Sequence, residues 1–350
     1  LTEYANKDSR VKLVFRAENG HISKATNSAF EIATGDFIAL LDHDDELPLH
    51  ALYEVAKAIN ENPDCNVIYS DEDKIDEVGN RFNPHFKSGW NPDLLYSQNY
   101  ISHLGIYRKT LIDKIAGFRI GVEGSQDYDL LLRALKACDS KGVIHISKVL
   151  YHWRAIAGST ALSAGEKSYT TEAGIKALSD FFGKDSNIEV EAGLLPNTYK
   201  VNWPIPENQP LVSLIIPTYN GYEITKQAID SILEKTTYEN YEILLVDNNS
   251  DCPDSLKYFE SLDKLSNVTV LRYPYPFNYS AINNFAAKQA KGSVIGLINN
   301  DVEVISPNWL TELVSNALRP DVGCVGAKLY FENDTIQHGG VIAGVGGVAG

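Results

Sequence analysis

Short apolar runs alternate along most of the chain with segments whose apolar positions recur every three or four residues. Runs at 37–41, 67–69, 104–107, 212–216, 242–246, 268–272 and 294–298 are too short for helices and read as buried strands. Residues 11–15 read as a further short strand, and 143–147 and 149–153 look extended. Helical spacing marks 23–33, 49–59, 109–115, 127–137, 168–182, 224–233 and 281–290. Ser70 and the acids at 71–73 follow the strand at 67–69, and 80–99 is aromatic-rich and irregular. The chain as a whole reads as α/β, and from residue 210 onward this alternation predicts a parallel sheet covered on both faces, with ligands at the carboxyl ends of the strands. Pro196, Pro204 and Pro206 punctuate residues 185–209, and Pro210 lies just beyond. That stretch predicts a linker or edge strand between two units, 1–184 and 210–350.

One pattern occurs twice. Gly35-Asp-Phe-Ile-Ala-Leu-Leu-Asp42-His43-Asp44-Asp45-Glu46 matches Gly292-Ser-Val-Ile-Gly-Leu-Ile-Asn299-Asn300-Asp301-Val302-Glu303 at a constant offset of 257. Val11/Val268, Ser23/Ser280, Asn27/Asn284 and Ala33/Ala290 keep that offset. The chain therefore holds two related domains, or parts of them. In each copy an apolar strand runs into spaced carboxylates, and hard divalent cations take oxygen ligands held in this way.

With 350 residues there is room for two ordinary cores. The net charge of −15 argues against a nucleic-acid partner but leaves room for a nucleotide whose phosphates a metal neutralises. Cys65, Cys138, Cys252 and Cys324 form neither a zinc spacing nor a disulfide framework, which fits a reducing compartment. No apolar stretch approaches the roughly 20 residues needed to span a bilayer. The chain contains no methionine, starts at Leu1 and stops within a Gly-rich run, and is expected to be part of a longer polypeptide.

Five groups could carry chemistry. Asp42 and Asp44 read as a metal site bridging nucleotide phosphates or as an acid-capped turn, with Asp45 and Glu46 as supporting or capping groups. Asp127 and Asp129 open a helix, as caps or with one of them as a general base. His152, in Tyr151-His152-Trp153-Arg154, is a structural histidine or a metal ligand with Arg154 near phosphate. Phe82, Phe86, Trp90, Tyr96 and Tyr100 are core residues or sugar-stacking faces, with Trp90 as a candidate platform. Pro217-Thr218-Tyr219-Asn220 and Asp247 form turns or contact a base and ribose.

The segments Val212-Ser-Leu-Ile-Ile-Pro-Thr-Tyr-Asn220, Tyr241-Glu-Ile-Leu-Leu-Val-Asp247-Asn-Asn-Ser250 and Asn299-x-Asp301 resemble the nucleotide-binding half of a family 2 glycosyltransferase of GT-A fold. Residues 1–184 resemble the same family from its third strand onward, with Asp42-x-Asp44, Gln126-Asp127 in place of Glu-Asp, and Tyr-His152-Trp-Arg. Phe277-Asn-Tyr-Ser-Ala-Ile-Asn-Asn284 and Ile336-Gln-His-Gly-Gly340 are similar to segments of tandem enzymes of bacterial O-antigen synthesis. The resemblance implies that Asp44, with Asp42, holds Mg²⁺ or Mn²⁺ on a nucleotide-diphospho-sugar, that His152 completes or supports that site, and that Asp127 is the base. In the second unit it implies that Thr218, Tyr219 and Asp247 contact the nucleoside, with Asn220 and Asn284 as further donor contacts, and that Asp301 holds the metal. Measured against the family, the first unit lacks two N-terminal strands, the second lacks its acceptor half, and Asn299 replaces an acid.

The expected activity is inverting, metal-dependent sugar transfer to a saccharide or lipid-linked saccharide. The expected setting is cytoplasmic, with peripheral association at the inner membrane face as an option. The rivals are a sugar-nucleotide nucleotidyltransferase, whose Gly-rich basic loop Asn220-Gly221-Tyr222 does not supply, and a carbohydrate-binding or scaffolding role for the second unit.

Overall fold

The computed structural model describes residues 1–138, 140–155 and 168–341. Two compact units meet in sequence between Asn202 and Trp203.

Unit 1 begins with helix α1 (Thr2–Lys7) and α2 (His21–Ile32), followed by β1 (Phe37–Ala39), α3 (Ala51–Glu61), β2 (Val67–Ile75) and β3 (Arg81–His85). It continues through α4 (Pro92–Ser97), β4 (Ile106–Arg108), α5 (Lys109–Lys114), α6 (Gln126–Ala137), β5 (Val143–Arg154) and α7 (Ser168–Phe182). It closes with a hairpin, β6 (Glu189–Ala192) and β7 (Tyr199–Asn202). Among the described residues the main sheet has five strands in the order β1-β4-β2-β3, with β5 parallel to β2 and the other pairs antiparallel.

The two-residue periodicity of a strand splits the sheet's faces. Val67 and Tyr69 join a core with Leu130, Leu131 and Ala134 of α6. Ile68 faces Ala51, Val55 and Ala58 of α3, with Leu150 and Tyr151 of β5. Each fully buried side chain of this size contributes about 1.5–3 kcal/mol.

Several expectations change. The stretch at 80–99, expected to be irregular, contains β3 and α4. Residues 11–15 are not a strand: Val11, Val14 and Phe15 are exposed. The repeat partner of this segment, β10 of unit 2, forms because a parallel neighbour pairs with it. Among the described residues no strand of unit 1 pairs with 11–15. The acids at 71–73 do not follow a strand but lie inside β2, where Asp71, Glu72 and Asp73 are buried, because histidines and basic side chains from elsewhere partner them. Of residues 185–209, the part up to Asn202 is the β6–β7 hairpin of unit 1, not a linker; Tyr199 stacks on Tyr128 at 5.4 Å. The two extended segments at 143–147 and 149–153 are one strand, irregular where Ser70 faces Ile146 and Asp71 faces Val149.

Unit 2 contains β8 (Val212–Thr218), α8 (Tyr222–Lys235), β9 (Tyr241–Asp247), α9 (Pro253–Leu262), β10 (Val268–Arg272), α10 (Tyr279–Ala287), β11 (Val294–Leu297) and α11 (Trp309–Ala317). A small pair, β12 (Leu329–Tyr330) and β13 (Ile336–His338), follows. The main sheet is parallel, in the order β10-β9-β8-β11. Val212, Leu214 and Ile216 face Ile229 and Ile232 of α8, while Ile215 faces Ile282 and Ala286 of α10. Both faces are covered, as the continuous apolar strands require.

Candidate functional site

In unit 1 the chain leaves β1 and enters the acidic loop at 42–46, which is clipped to the end of β5. Glu46 N–H donates to the His152 carbonyl at 3.1 Å, and His152 N–H donates back at 2.9 Å. Arg154 locks the loop further: its N–H donates to Asp45 Oδ1 at 2.7 Å, its Nε to the Asp44 carbonyl at 2.6 Å, and its guanidinium pairs with Glu46.

Tyr151 is the buried pivot beneath this loop. Its hydroxyl donates to Asp45 Oδ2 and accepts the Asp42 N–H at 3.3 Å. Its ring stacks on His103 at 4.4 Å with an 11° tilt. Asp42, Asp45 and His103 thereby bring one potential ligand atom each within 4.8 Å of one another. Two carboxylates and an imidazole form a donor set that fits a divalent cation such as Mn²⁺ or Mg²⁺.

Asp44 is half-buried in the same loop, with Oδ1 3.7 Å from His43 Nδ1, and is not in that convergent group. Nor is His152. Its Nδ1 donates to Asp73 Oδ1 at 2.5 Å, because β2 and β5 run in parallel and place the two residues opposite one another. His103 takes the place at the cluster. Its Nδ1 donates to Glu72 Oε2 at 3.0 Å. Glu72 is also close to Lys87 Nζ at 3.4 Å and His85 Nδ1 at 3.3 Å.

Electrostatic interactions link these groups. Asp42 is exposed at the surface, yet the protein around it displaces enough water to push its pKa up; the His103 charge opposes the shift, and Asp45, Asp44 and Asp127 add to it. Burial opposes protonation of His103, yet the Glu72 carboxylate raises its pKa, with Lys87 opposing and Asp127 assisting. Burial works against ionising Glu72 too, but hydrogen bonds from His103 and His85 and the charge of Lys87 hold its carboxyl far below the usual range.

Asp127 thus acts on both Asp42 and His103. Asn99 Nδ2 donates to Asp127 Oδ2 at 2.8 Å. Asp129, one helical step on, is buried and clasped by Arg133 at 2.7 Å and Arg119 at 2.6 Å, a structural assignment. Of the aromatics, Tyr100 is buried, Trp90 and Tyr96 pack against the core, and Phe82 and Phe86 are exposed.

In unit 2, Thr218, Tyr219, Asn220, Asp247 and Asp301 follow or end the carboxyl ends of β8, β9 and β11. Thr218 is buried, its hydroxyl 2.9 Å from Thr225 and 3.2 Å from Asn300 Nδ2. Asp247 is buried, accepts Ser250 N–H at 2.9 Å and pairs with Arg272. Asn220 takes a left-handed backbone (φ 50°), and its amide clasps Asp251 at 3.0 Å. Tyr219 and Asp301 are exposed. Asn284 is exposed on α10. Its repeat partner Asn27 clasps both backbone groups of Phe118, at 2.9 and 2.7 Å.

The family model for "Glycosyl transferase family 2" matches residues 1–116 and 213–340, well over half of the chain. The chain belongs to that family. An uncharacterized protein of Sinorhizobium fredii is 50% identical over the whole chain, which covers 39% of that relative. The O-antigen biosynthesis protein RfbC of Myxococcus xanthus is 39% identical, again over the whole chain, which covers 27% of it. The chain thus spans well under half the length of these relatives. Among solved structures, the Pyrobaculum calidifontis mannosyltransferase PcManGT, in complex with GDP-Man and Mn²⁺, is 21% identical with a TM-score of 0.31, covering 35% of this chain and 37% of its own. The mixed α/β sheets of the two units accord with the GT-A architecture of the family.

The local motifs around Asp42 and Asp127 were legible in the sequence. Asp45 reads in the sequence only as a supporting group, His103 and Glu72 carry no motif of their own, and Tyr151 lies in the Tyr-His-Trp-Arg segment without a signal for its hydroxyl. The acidic run at 71–73 was the available signal for Glu72.

Proposed function

We propose that unit 1 carries a centre for inverting transfer of a sugar from a nucleotide-diphospho-sugar to a saccharide or lipid-linked saccharide. The observation that carries the reading is the convergence of Asp42, Asp45 and His103 on one point, with the Asp127 charge acting on both Asp42 and His103. Asp127, held by Asn99, takes the proton of the acceptor hydroxyl. The freed oxygen attacks the anomeric carbon as the glycosyl–phosphate bond breaks, and the nucleoside diphosphate leaves with the bonding pair. The acidic loop, through Asp42 and Asp45 with Asp44 beside them, would hold Mg²⁺ or Mn²⁺. A bound cation there neutralises charge on the departing diphosphate.

For unit 2 we propose donor-nucleotide binding at the carboxyl ends of β8 and β9. Exposed Tyr219 offers a stacking face, buried Asp247 and Asn220 shape the turns, and Asp301 is the cation-facing acid; Asn284 is the weakest of these donor contacts. Asn299 in place of an acid favours a binding role over catalysis in this unit.

The similarity to the O-antigen biosynthesis protein RfbC supports a place in surface-polysaccharide synthesis, for which we propose a cytoplasmic setting. Among the described residues no helix is long and apolar enough to cross a membrane. Incubation of the full-length protein with a panel of UDP-, dTDP- and GDP-sugars and lipid-linked saccharides, with Mn²⁺ or with EDTA, tests the reading. Metal-dependent formation of a glycosylated acceptor is expected. Transfer of a nucleotidyl group in place of the sugar would overturn it.

A further inference from the structure

The acidic loop does not stand alone. His103 comes from a separate part of unit 1, 61 positions after Asp42, and its ring is fixed on both sides. One constraint is the stack on Tyr151, 4.4 Å between centroids. The other is the hydrogen bond from Nδ1 to Glu72, at 3.0 Å. An ionised carboxylate only accepts, so Nδ1 carries a proton and Nε2 is the ring atom left with a lone pair for a ligand. Glu72 is itself 8% exposed and anchored by Lys87. Lys87 Nζ is fully buried and donates to the Ile101 carbonyl at 2.5 Å and to the His103 carbonyl. The ring is therefore held at both its side chain and its backbone.

We propose that His103 supplies a nitrogen ligand to the cation held by Asp42 and Asp45, and that Glu72 is the positioning residue that orients it. This rests on the cation reading of the acidic loop. A carboxylate hydrogen-bonded to the far nitrogen of a metal-bound imidazole fixes its tautomer and raises its basicity. The same Tyr151 serves all three donors: it stacks His103, donates to Asp45 and accepts from the Asp42 backbone. The imidazole at the end of β5, on His152, is engaged by Asp73 and lies outside the group. A nitrogen donor beside two carboxylates favours Mn²⁺ over Mg²⁺, since magnesium prefers an all-oxygen shell.

The test uses Mn²⁺ alone, with no nucleotide, on the full-length protein. Electron spin-echo modulation reads a histidine nitrogen on bound Mn²⁺ directly. Wild-type protein is expected to show nitrogen modulation, and labelling histidine with ¹⁵N is expected to change it. His103→Gln is expected to remove it. Glu72→Gln is expected to weaken Mn²⁺ binding about 10- to 100-fold. His145→Gln, which alters the neighbouring pair with Asp71 at 2.8 Å, is expected to leave binding unchanged.

If His103→Gln does not fold, the ¹⁵N comparison on wild type still decides. Absence of a histidine signal there overturns the proposal. So does a signal that survives in folded His103→Gln. Mn²⁺ binding lost in Asp42→Asn but unaffected in His103→Gln removes this inference and leaves the cation reading standing. Binding unaffected by Asp42→Asn and Asp45→Asn together removes the cation reading itself.

Discussion

Asn99 donates its side-chain amide to Asp127 Oδ2 at 2.8 Å, while Asp129, on the same first turn of α6, is sealed between Arg119 and Arg133. Two acids that look alike in the sequence thus have different surroundings. Asp127 is half-buried, and its charge adds to the upward pKa shifts of both Asp42 and His103. Neither caps the helix through its side chain; Ser125 occupies the cap position.

Asp127→Asn is expected to lower kcat about 10²- to 10⁴-fold with donor affinity changed little, because a base acts in the transition state. Asn99→Ala is expected to cost less, since the carboxylate remains. Steady-state kinetics with separate donor-binding titrations check this. A matching loss of donor affinity in Asp127→Asn would assign Asp127 to binding.

Asp129→Ala removes the acceptor shared by two arginines in a buried position, and should destabilise unit 1 by about 3–5 kcal/mol. Hydrogen exchange along α6 reports the loss, and turnover per folded molecule should stay near wild type. Unchanged exchange would mean that the ion pairs contribute nothing to stability.

Tyr151→Phe keeps the ring under His103 and deletes the hydroxyl. The loss of its bond to the Asp45 carboxylate should cost about 1.5–3 kcal/mol. Mn²⁺ affinity should fall with it, because the Asp42 N–H loses its acceptor and the loop loosens. Calorimetric titration alongside thermal melting measures both; unaltered Mn²⁺ affinity would show that the loop holds its shape without this hydroxyl.

Asp247→Ala in unit 2 deletes a buried carboxylate that accepts Ser250 N–H and pairs with Arg272. The expected cost is about 1.5–3 kcal/mol, with the turn at 248–250 loosened. Hydrogen exchange of Asn248 to Ser250 should rise ahead of the rest of the sheet. Nucleotide affinity should fall as the turn loosens, whereas affinity lost with exchange unchanged would make Asp247 a direct contact.

Most elements were legible because their signals are local. The periodicity at 23–33, 49–59 and 127–137 falls on α2, α3 and α6, and the apolar runs at 212–216 and 242–246 fall on β8 and β9. Residues 11–15 show the limit. Val11, Val14 and Phe15 have strand-like chemistry, but a strand forms only with a neighbour to pair with, and their repeat partner β10 has β9. The acids of β2 show the opposite limit: a buried carboxylate needs a partner, and His145, His103 and His152 come from distant parts of the chain, His85 from the next strand. The candidate site divides the same way. Asp42 and Asp127 lie in recognisable local motifs, whereas His103, Glu72 and the Tyr151 hydroxyl meet only when β2, β5 and the segment before β4 come together. Sequence adjacency also favoured Asp44 and His152, yet backbone direction turns the convergent oxygens to Asp42 and Asp45 and sends His152 to Asp73.

The most direct measurement is nucleoside diphosphate release from a panel of sugar nucleotides by the full-length protein, comparing wild type with Asp42→Ala and Asp127→Asn in Mn²⁺ and in EDTA. A transfer centre in unit 1 requires at least one sugar nucleotide whose turnover needs the metal and falls 100-fold or more in each variant. If both variants, verified as folded, turn over every sugar nucleotide that the wild type uses, and at the same rate, unit 1 is not that centre.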